Sequence, residues 1–391
     1  MYRLIVLKLL FEIMQNEHDS YVPSLVFIET TKACDYSCRH CRAESQSISS
    51  PDELSTAEIK GVLKQIREIS PSPPEIVITG GNFLLRPDIR EIIEYTRNLG
   101  LKFSASPAGS PLLTEEFMKF LARNGARSIS LSLDGTDHGS HDWLRRIPGS
   151  FDLTLNLILQ AKKIGLKTQV NTTVFRRNIE ELPYIAALLK DAGITTWEVF
   201  FLIKTGRGMT VEDVTPDEYM QINLWLHYLR GYGFNVRTVE SPVFRVIGNI
   251  AERDASIGSG SLYRRLTEMT VSMLGVPVVE TAKQKTWEAR HSFHGTLFIG
   301  HNGEVHPSGL FNVPLGNIRE NSLRDIIGRS VDFLDPRSSG RISGKCGRCE
   351  FLASCGGSRA RSYASTGDPF APDPACTYVP ASLNEVALRQ Q

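Results

Sequence analysis

Short apolar runs and longer amphipathic stretches take turns along the first two hundred residues. The run Leu25-Val26-Phe27-Ile28 reads as a buried strand, and helical spacing of apolar positions follows over 55–69. Glu75-Ile76-Val77-Ile78-Thr79 is β-branched, a strand that ends at Gly80-Gly81. The alternation continues with helices over 88–99, 114–124, 151–164 and 179–192, Thr114 serving as an N-cap. Strands are predicted over 101–104, 128–133, 167–174 and 197–201. Each connection is too long for a hairpin, so the strands run parallel, and right-handed crossovers curl such a sheet towards a barrel. Six units predict an α/β fold, a partial (β/α)6 TIM-like barrel short of the eight units that close one. Barrels of this kind place their chemistry at the C-terminal ends of the strands. The stretch 34–41, Gly80-Gly81, Asp134-Gly135, Asn171 and Thr205-Gly206-Arg207-Gly208 all fall at or just after predicted strand ends and are expected on one face.

The pattern loosens over 232–290, where helices over about 242–253 and 261–274 flank the flexible Gly258-Ser259-Gly260-Ser261. A hairpin follows, strands 296–300 and 304–306 around an Asn302-Gly303 turn, and then a short helix over 323–327. The expected division is an N-terminal helical extension (1–22), the barrel (23–231), a connecting segment that carries substrate specificity (232–290) and a small cysteine-rich α+β domain (291–391). The early apolar run over 4–14 is interrupted by Lys8 and Glu12 and lacks a small-residue cleavage site, so it reads as an amphipathic helix. No run is long and apolar enough to span a membrane, which points to a cytoplasmic protein.

Composition changes this picture only at the cysteines. The chain has 391 residues, 44 Lys+Arg against 43 Asp+Glu, and a formal charge of +1, so nothing in its net charge favours nucleic acid or an anionic membrane. Its seven cysteines fall in two groups, Cys34, Cys38 and Cys41, then Cys346, Cys349, Cys355 and Cys376. An odd total cannot pair fully as disulfides, and the close spacings favour metal. Three thiolates on a [4Fe–4S] cube leave one iron open, whereas structural zinc wants a fourth ligand. His40 adjoins Cys41 too closely to share one tetrahedral ion with it, and redox thiols need only the C-x2-C part. The later four thiols close a cube with no open position, with zinc as the less favoured alternative on spacing alone.

Cys34, Cys38 and Cys41, with the ring of His40 just before the last, stand after a first strand, and Gly80-Gly81 follows the second. Together they resemble the signature of the radical S-adenosylmethionine (SAM) enzymes. The resemblance implies that the open iron is chelated by the amino and carboxylate groups of SAM. One electron then splits the sulfonium to methionine and a 5′-deoxyadenosyl radical, which abstracts a substrate hydrogen atom. It implies cofactor contacts at His40, Gly80, Gly81, Ser132 and Asn171, the glycines lying against the methionine amino group. Asn82 stands where the family usually has Glu; its carbonyl accepts a hydrogen bond but brings no charge. Arg145, in His141-Asp142-Trp143-Leu144-Arg145, occupies a position where relatives often place a basic residue.

Lys345-Cys346-Gly347-Arg348-Cys349 and Cys355-Gly356-Gly357-Ser358-Arg359-Ala360-Arg361, with Asp373-Pro374-Ala375-Cys376, resemble the auxiliary-cluster (SPASM) domain of radical SAM enzymes. That implies a second [4Fe–4S] cluster on Cys346, Cys349, Cys355 and Cys376. Ser358 and His306-Pro307-Ser308-Gly309 stand where two-cluster members carry further cysteines, so one auxiliary cluster is expected. The Cys-Gly-Gly run and Thr205-Gly206-Arg207-Gly208 look most like the haem-pathway branch, which implies a tetrapyrrole substrate, with His291, His294 and His306 as candidate ligands of its iron. Peptide maturation is the alternative, disfavoured by the roughly twenty-three residues before the first strand, too few for a leader-binding fold. A non-catalytic iron–sulfur carrier accounts for the clusters but not for an open iron beside Gly80-Gly81. A low-potential donor such as ferredoxin or flavodoxin is the expected redox partner.

Overall fold

In a computed structural model, residues 21–277 and 295–383 are described. The expected N-terminal extension falls almost wholly outside the described residues, as do His291 and His294. Seven strands, β1 (Leu25–Glu29), β2 (Glu75–Thr79), β3 (Phe103–Ala105), β4 (Ile129–Ser132), β5 (Thr168–Val174), β6 (Thr196–Phe201) and β7 (Asn235–Val239), lie in sequence order, each parallel to the next. The six expected β/α units are all present. β7 adds a seventh parallel strand in the stretch where the sequence pattern loosens.

The hairpin of β8 (Thr296–Ile299) and β9 (Glu304–His306) joins the same sheet, β8 running parallel to β1 with Ile28 opposite Ile299. β10 (Gly316–Asn317) completes a ten-stranded sheet whose ends, β10 and β7, do not pair. The barrel is therefore open.

Amphipathic helices cover its outside. α1 (Thr56–Glu68) starts at a capping box, Ser55 with Glu58, and buries Ile59, Val62, Leu63 and Ile66, the one-sided spacing of a surface helix. α2 (Ile89–Asn98), α3 (Glu115–Arg123), α4 (Ser150–Lys163) and α5 (Leu182–Asp191) repeat the arrangement, and Thr114 does cap α3 through Phe117 N–H. α6 (Pro216–Leu229) precedes β7 and sends Trp225 edge-on against Trp197 of β6, ring centroids 6.2 Å apart. Both indole N–H groups are satisfied, by Thr270 (3.0 Å) and Thr172 (2.8 Å). Thr270 lies on the Ser261–Leu274 helix, so this segment is part of the core.

The strands themselves alternate. On β5 the buried residues are Thr168, Val170, Thr172 and Val174, whereas Gln169, Asn171 and Thr173 are half-buried. β6 buries Trp197, Val199 and Phe201 and leaves Glu198 between them half-buried. A closed (β/α)8 barrel fills its interior with branched apolar side chains. Here the inward face is polar, with Gln169 Nε2 donating to both Asn171 Oδ1 and Glu198 Oε2 at 2.9 Å. A polar lumen accommodates a ligand where an apolar one would simply pack. No helix among the described residues is long and apolar enough to cross a membrane.

Candidate active site

The cysteine loop leaves β1 and presses against the exit of β2. Gly81 N–H donates to Thr31 O and Asn82 N–H to Ala33 O, both at 2.7 Å. A Cβ on Gly81 would stand 2.2 Å from Ala33 O, so the glycine is required by the approach of the loop that carries Cys34. Asn82 is fully buried. Its Nδ2 donates to Asp35 Oδ1 (2.8 Å) and Ser110 Oγ (3.0 Å), and its Oδ1 accepts from Leu84 N–H (3.3 Å), capping the turn Phe83–Leu85. The amide thus positions the residue next to Cys34, and the local carboxylate is Asp35, not residue 82.

From the far side of the barrel, the turn after β6 clamps the same loop. Arg207 Nε donates to Cys38 O (2.8 Å), its two other nitrogens to Ser45 O (2.9 Å) and Ser45 Oγ (3.0 Å), and its backbone N–H to Cys41 O (3.0 Å). Tyr36 N–H lies 3.4 Å from Cys34 Sγ, and the Tyr36 hydroxyl donates to Gly109 O at 2.6 Å. Three barrel turns therefore fix one loop, and its three thiols stand at the strand-end mouth. The sequence marks Thr205-Gly206-Arg207-Gly208 as a strand-end feature, but the clamp that Arg207 makes is visible only in the fold.

A buried charge pair underlies the loop. Asp134, wholly buried after β4, accepts from Arg145 Nε (2.7 Å) and from Thr173 N–H (2.8 Å). Burial opposes its ionisation, but Arg145 and the hydrogen bonds outweigh that and hold its carboxyl below the usual range. Arg145 also directs Nη1 towards Cys38 Sγ, 3.9 Å away. Burial pushes the Cys34 thiol up to about 12 and raises Cys38 as well, with Arg145 opposing the rise at Cys38. The imidazoles of His40 and His141 are both lowered to about 4, by burial first. His141 Nδ1 accepts from Asp134 N–H at 3.1 Å, and His40 Nδ1 is buried without a hydrogen-bond partner. Ser132 and Asn171 are directly opposite one another on β4 and β5, both half-buried at the mouth.

The second thiol set forms its own enclosure. Cys346, Cys349, Cys355 and Cys376 line one cavity, closed by Val243, Val246 and Ile250. Two sulfurs receive a backbone amide, Cys349 from Phe351 (3.4 Å) and Cys346 from Asp373 (3.3 Å), and the amides of Gly357 and Tyr378 oppose the rise that burial causes at Cys355 and Cys376. Gly356 and Gly357 both adopt left-handed backbone (φ 71° and 69°), turning the chain so that this amide can face Cys355. A side chain on Gly357 would meet Cys346 Sγ at 3.2 Å. Burial raises Cys349, Cys355 and Cys376, the last to about 11. Ser358 does not face the thiols; its hydroxyl donates to Glu240 Oε2 at 2.5 Å and its N–H to Asp373 (2.7 Å). Arg361, buried, reaches Leu202 O and Asp213 Oδ2 at 3.1 Å, joining this region to the end of β6. His306 is buried in the hairpin between Phe298 (ring centroids 6.3 Å) and Glu304 (3.5 Å).

The family model of the radical SAM superfamily matches residues 28–189, the span from β1 through α5. An AdoMet-dependent heme synthase of Methanosarcina barkeri is 33% identical over 360 residues, 92% of this chain and 97% of that protein. The chain belongs to the radical SAM superfamily. It is accordingly an enzyme of radical chemistry, and radical SAM membership brings with it SAM and a [4Fe–4S] cluster. An AdoMet-dependent heme synthase of Nitratidesulfovibrio vulgaris is 30% identical over 370 residues, 94% of this chain and 95% of its own length. Among solved radical SAM structures, SuiB of Streptococcus suis bound to S-adenosylmethionine superposes with a TM-score of 0.65 at 16% identity, over 94% of this chain and 83% of that one. The likeness to SuiB extends the common fold through the cysteine-rich region.

Proposed function

We propose that this radical SAM enzyme alters a side chain of an iron tetrapyrrole, with Cys34, Cys38 and Cys41 holding the cluster that binds SAM. One observation carries the site assignment: three strand-end turns stitch a three-thiol loop across the mouth of a polar, open lumen. The residues fit the cofactors. Three thiols leave an iron coordination position free for SAM. Gly80 and Gly81 let the cysteine loop close onto the exit of β2, and Ser132 and Asn171 offer a hydroxyl and an amide side by side. When bound, cluster and SAM supply one-electron cleavage of the sulfonium and hydrogen-atom abstraction. The protein's part is to hold the loop through Asn82 and Arg207 and to keep a fixed positive charge, Arg145, beside Cys38. His40 and His141 stay neutral at pH 7, so they add no charge there.

We assign Cys346, Cys349, Cys355 and Cys376 to one auxiliary [4Fe–4S] cluster. Four thiols enclose one cavity, and the amide-to-sulfur hydrogen bonds at Cys346 and Cys349 favour thiolates, as iron–sulfur sites do. Residues 291–391 are read as the auxiliary-cluster domain and 23–231 as the catalytic barrel. The substrate class comes from the two heme synthases, which match this chain over nearly its whole length. A low-potential carrier of the ferredoxin or flavodoxin type supplies the electron.

The test is to incubate the reconstituted enzyme anaerobically with SAM, dithionite and iron porphyrins bearing carboxylate side chains. A perturbed porphyrin absorption band on binding, and a product of altered side-chain mass, are expected. No binding and no mass change, with 5′-deoxyadenosine still released, would overturn the tetrapyrrole reading and leave the radical chemistry standing.

A further inference from the structure

Beside Cys38 the surface carries two arginines that form no ion pair among the described residues. Arg39 and Arg177 both lie over the ring of Trp143, each guanidinium carbon 4.7 Å from the ring centre. Both arginines are exposed. Each is fixed by a backbone carbonyl, Arg39 by Trp143 O (3.0 Å) and Arg177 by Gly139 O (3.2 Å). Among the described residues neither pairs with a carboxylate. Arg146, also exposed, follows in a left-handed turn (φ 60°). The carboxylates around this turn are held by other groups: Asp142 by His138, Gly149 N–H, Ser150 Oγ and Phe151 N–H, Glu181 by Thr136 and Ser140, and Glu180 by Arg265.

Two like charges over one ring repel each other, and the ring's quadrupole offsets that only in part. The residual potential is local, because the chain as a whole carries only +1. Trp143 is half-buried and stacked on Phe175 (5.8 Å). Arg and Trp are among the residue types enriched in interface cores. The patch is also the outer side of the cluster loop. Arg39 follows Cys38 directly, and its N–H donates to Leu144 O (2.8 Å), tying the Trp143 turn to that cysteine.

We propose that Arg39, Trp143 and Arg177 form the docking surface for an acidic one-electron carrier protein. The proposal rests on Cys34, Cys38 and Cys41 holding the cluster. An acidic carrier supplies the carboxylates that Arg39 and Arg177 lack, and the patch connects to Cys38 through Arg39 and the Trp143 turn. In the transfer the carrier is oxidised by one electron and the cluster is reduced by one. No bond is made or broken. Such complexes are small and short-lived, steered by charge and weakened by salt.

The test uses the reconstituted holoenzyme and reduced flavodoxin, an acidic carrier. Cluster reduction is followed by stopped-flow bleaching, and binding of oxidised flavodoxin by calorimetry. Arg39→Glu/Arg177→Glu lowers the bimolecular reduction rate about tenfold or more at low ionic strength and flattens its salt dependence. Reduction by dithionite, iron content and dithionite-driven 5′-deoxyadenosine release stay at wild-type values. Should Arg39→Glu disturb the cysteine loop and cost iron, Arg177→Glu alone carries the test, because it lies outside that loop. Wild-type flavodoxin rate, affinity and salt slope in variants with intact iron would overturn the proposal. Failure of the cluster assignment would show separately, as wild-type protein that gives no 5′-deoxyadenosine with dithionite.

Discussion

Replacing Gly81 by alanine tests whether this glycine pair exists to admit the cysteine loop. The added Cβ would lie 2.2 Å from Ala33 O, 2.7 Å from Ala33 C and 2.8 Å from Lys32 O. All three atoms are backbone, so no rotamer change relieves the clash. Reaching even a 3.0 Å contact moves the Ala33 carbonyl back by about 0.8 Å. That stretches two backbone hydrogen bonds of 2.7 Å, Gly81 N–H to Thr31 O and Asn82 N–H to Ala33 O. Each such bond contributes about 1 kcal/mol net, and overpacking adds about 1–3 kcal/mol. The expected loss is about 3–5 kcal/mol, concentrated where Cys34 leaves β1. Gly61 is the control: it lies exposed on α1 with no atom within 4 Å of where a methyl group would stand, so Gly61→Ala is expected to stabilise by about 0.5–1 kcal/mol. Urea unfolding of the apoprotein gives both stabilities, and iron analysis after anaerobic reconstitution reports the first site. Gly81→Ala should unfold at lower urea and lose iron from the Cys34 loop while the Cys346 set keeps its own. Stability and iron content indistinguishable from those of wild type would refute the packing argument.

Two other predictions concern charge and the second thiol set. His141 is buried neutral, lowered to about 4, whereas an unfolded imidazole titrates near 6.5, so the unfolded state binds the extra proton first. Its contribution to stability is therefore intact above about pH 6.5 and is lost as pH falls from there towards 4. His141→Gln should make urea midpoints of the apoprotein less steeply dependent on pH in that window, and an unchanged slope would count against the buried neutral ring. Replacing Cys346 and Cys355 together by alanine should remove about four iron atoms yet preserve dithionite-driven formation of 5′-deoxyadenosine. Loss of that product with the first cluster still present would show that the two sites are not separable.

The β/α alternation is legible in the sequence because each helix keeps a one-sided apolar stripe and most strands a short β-branched run. The partition of the seven cysteines is legible because no other cysteine blurs it. β7 is not. Its sequence, Asn235-Val236-Arg237-Thr238-Val239, puts a charged residue in mid-strand, and only pairing with β6 makes it a strand. The polar lumen has the same origin, since Gln169 and Glu198 look like surface residues until the sheet curls. Asn82 illustrates the limit at the site. Its place after Gly80-Gly81 suggests a ligand contact, whereas its hydrogen bonds to Asp35 and Ser110 depend on residues 47 positions before and 28 after it. Arg207 reaches Ser45 across 162 residues, a contact no local pattern records.

The central claim is that Cys34, Cys38 and Cys41 make a radical-generating site distinct from the later four thiols. The direct measurement is iron content together with 5′-deoxyadenosine release, under dithionite and SAM, in the Cys34→Ala/Cys38→Ala/Cys41→Ala variant. The account predicts about four iron atoms retained from about eight and no 5′-deoxyadenosine. Release of 5′-deoxyadenosine from that variant, or loss of all its iron with the fold intact, would contradict it.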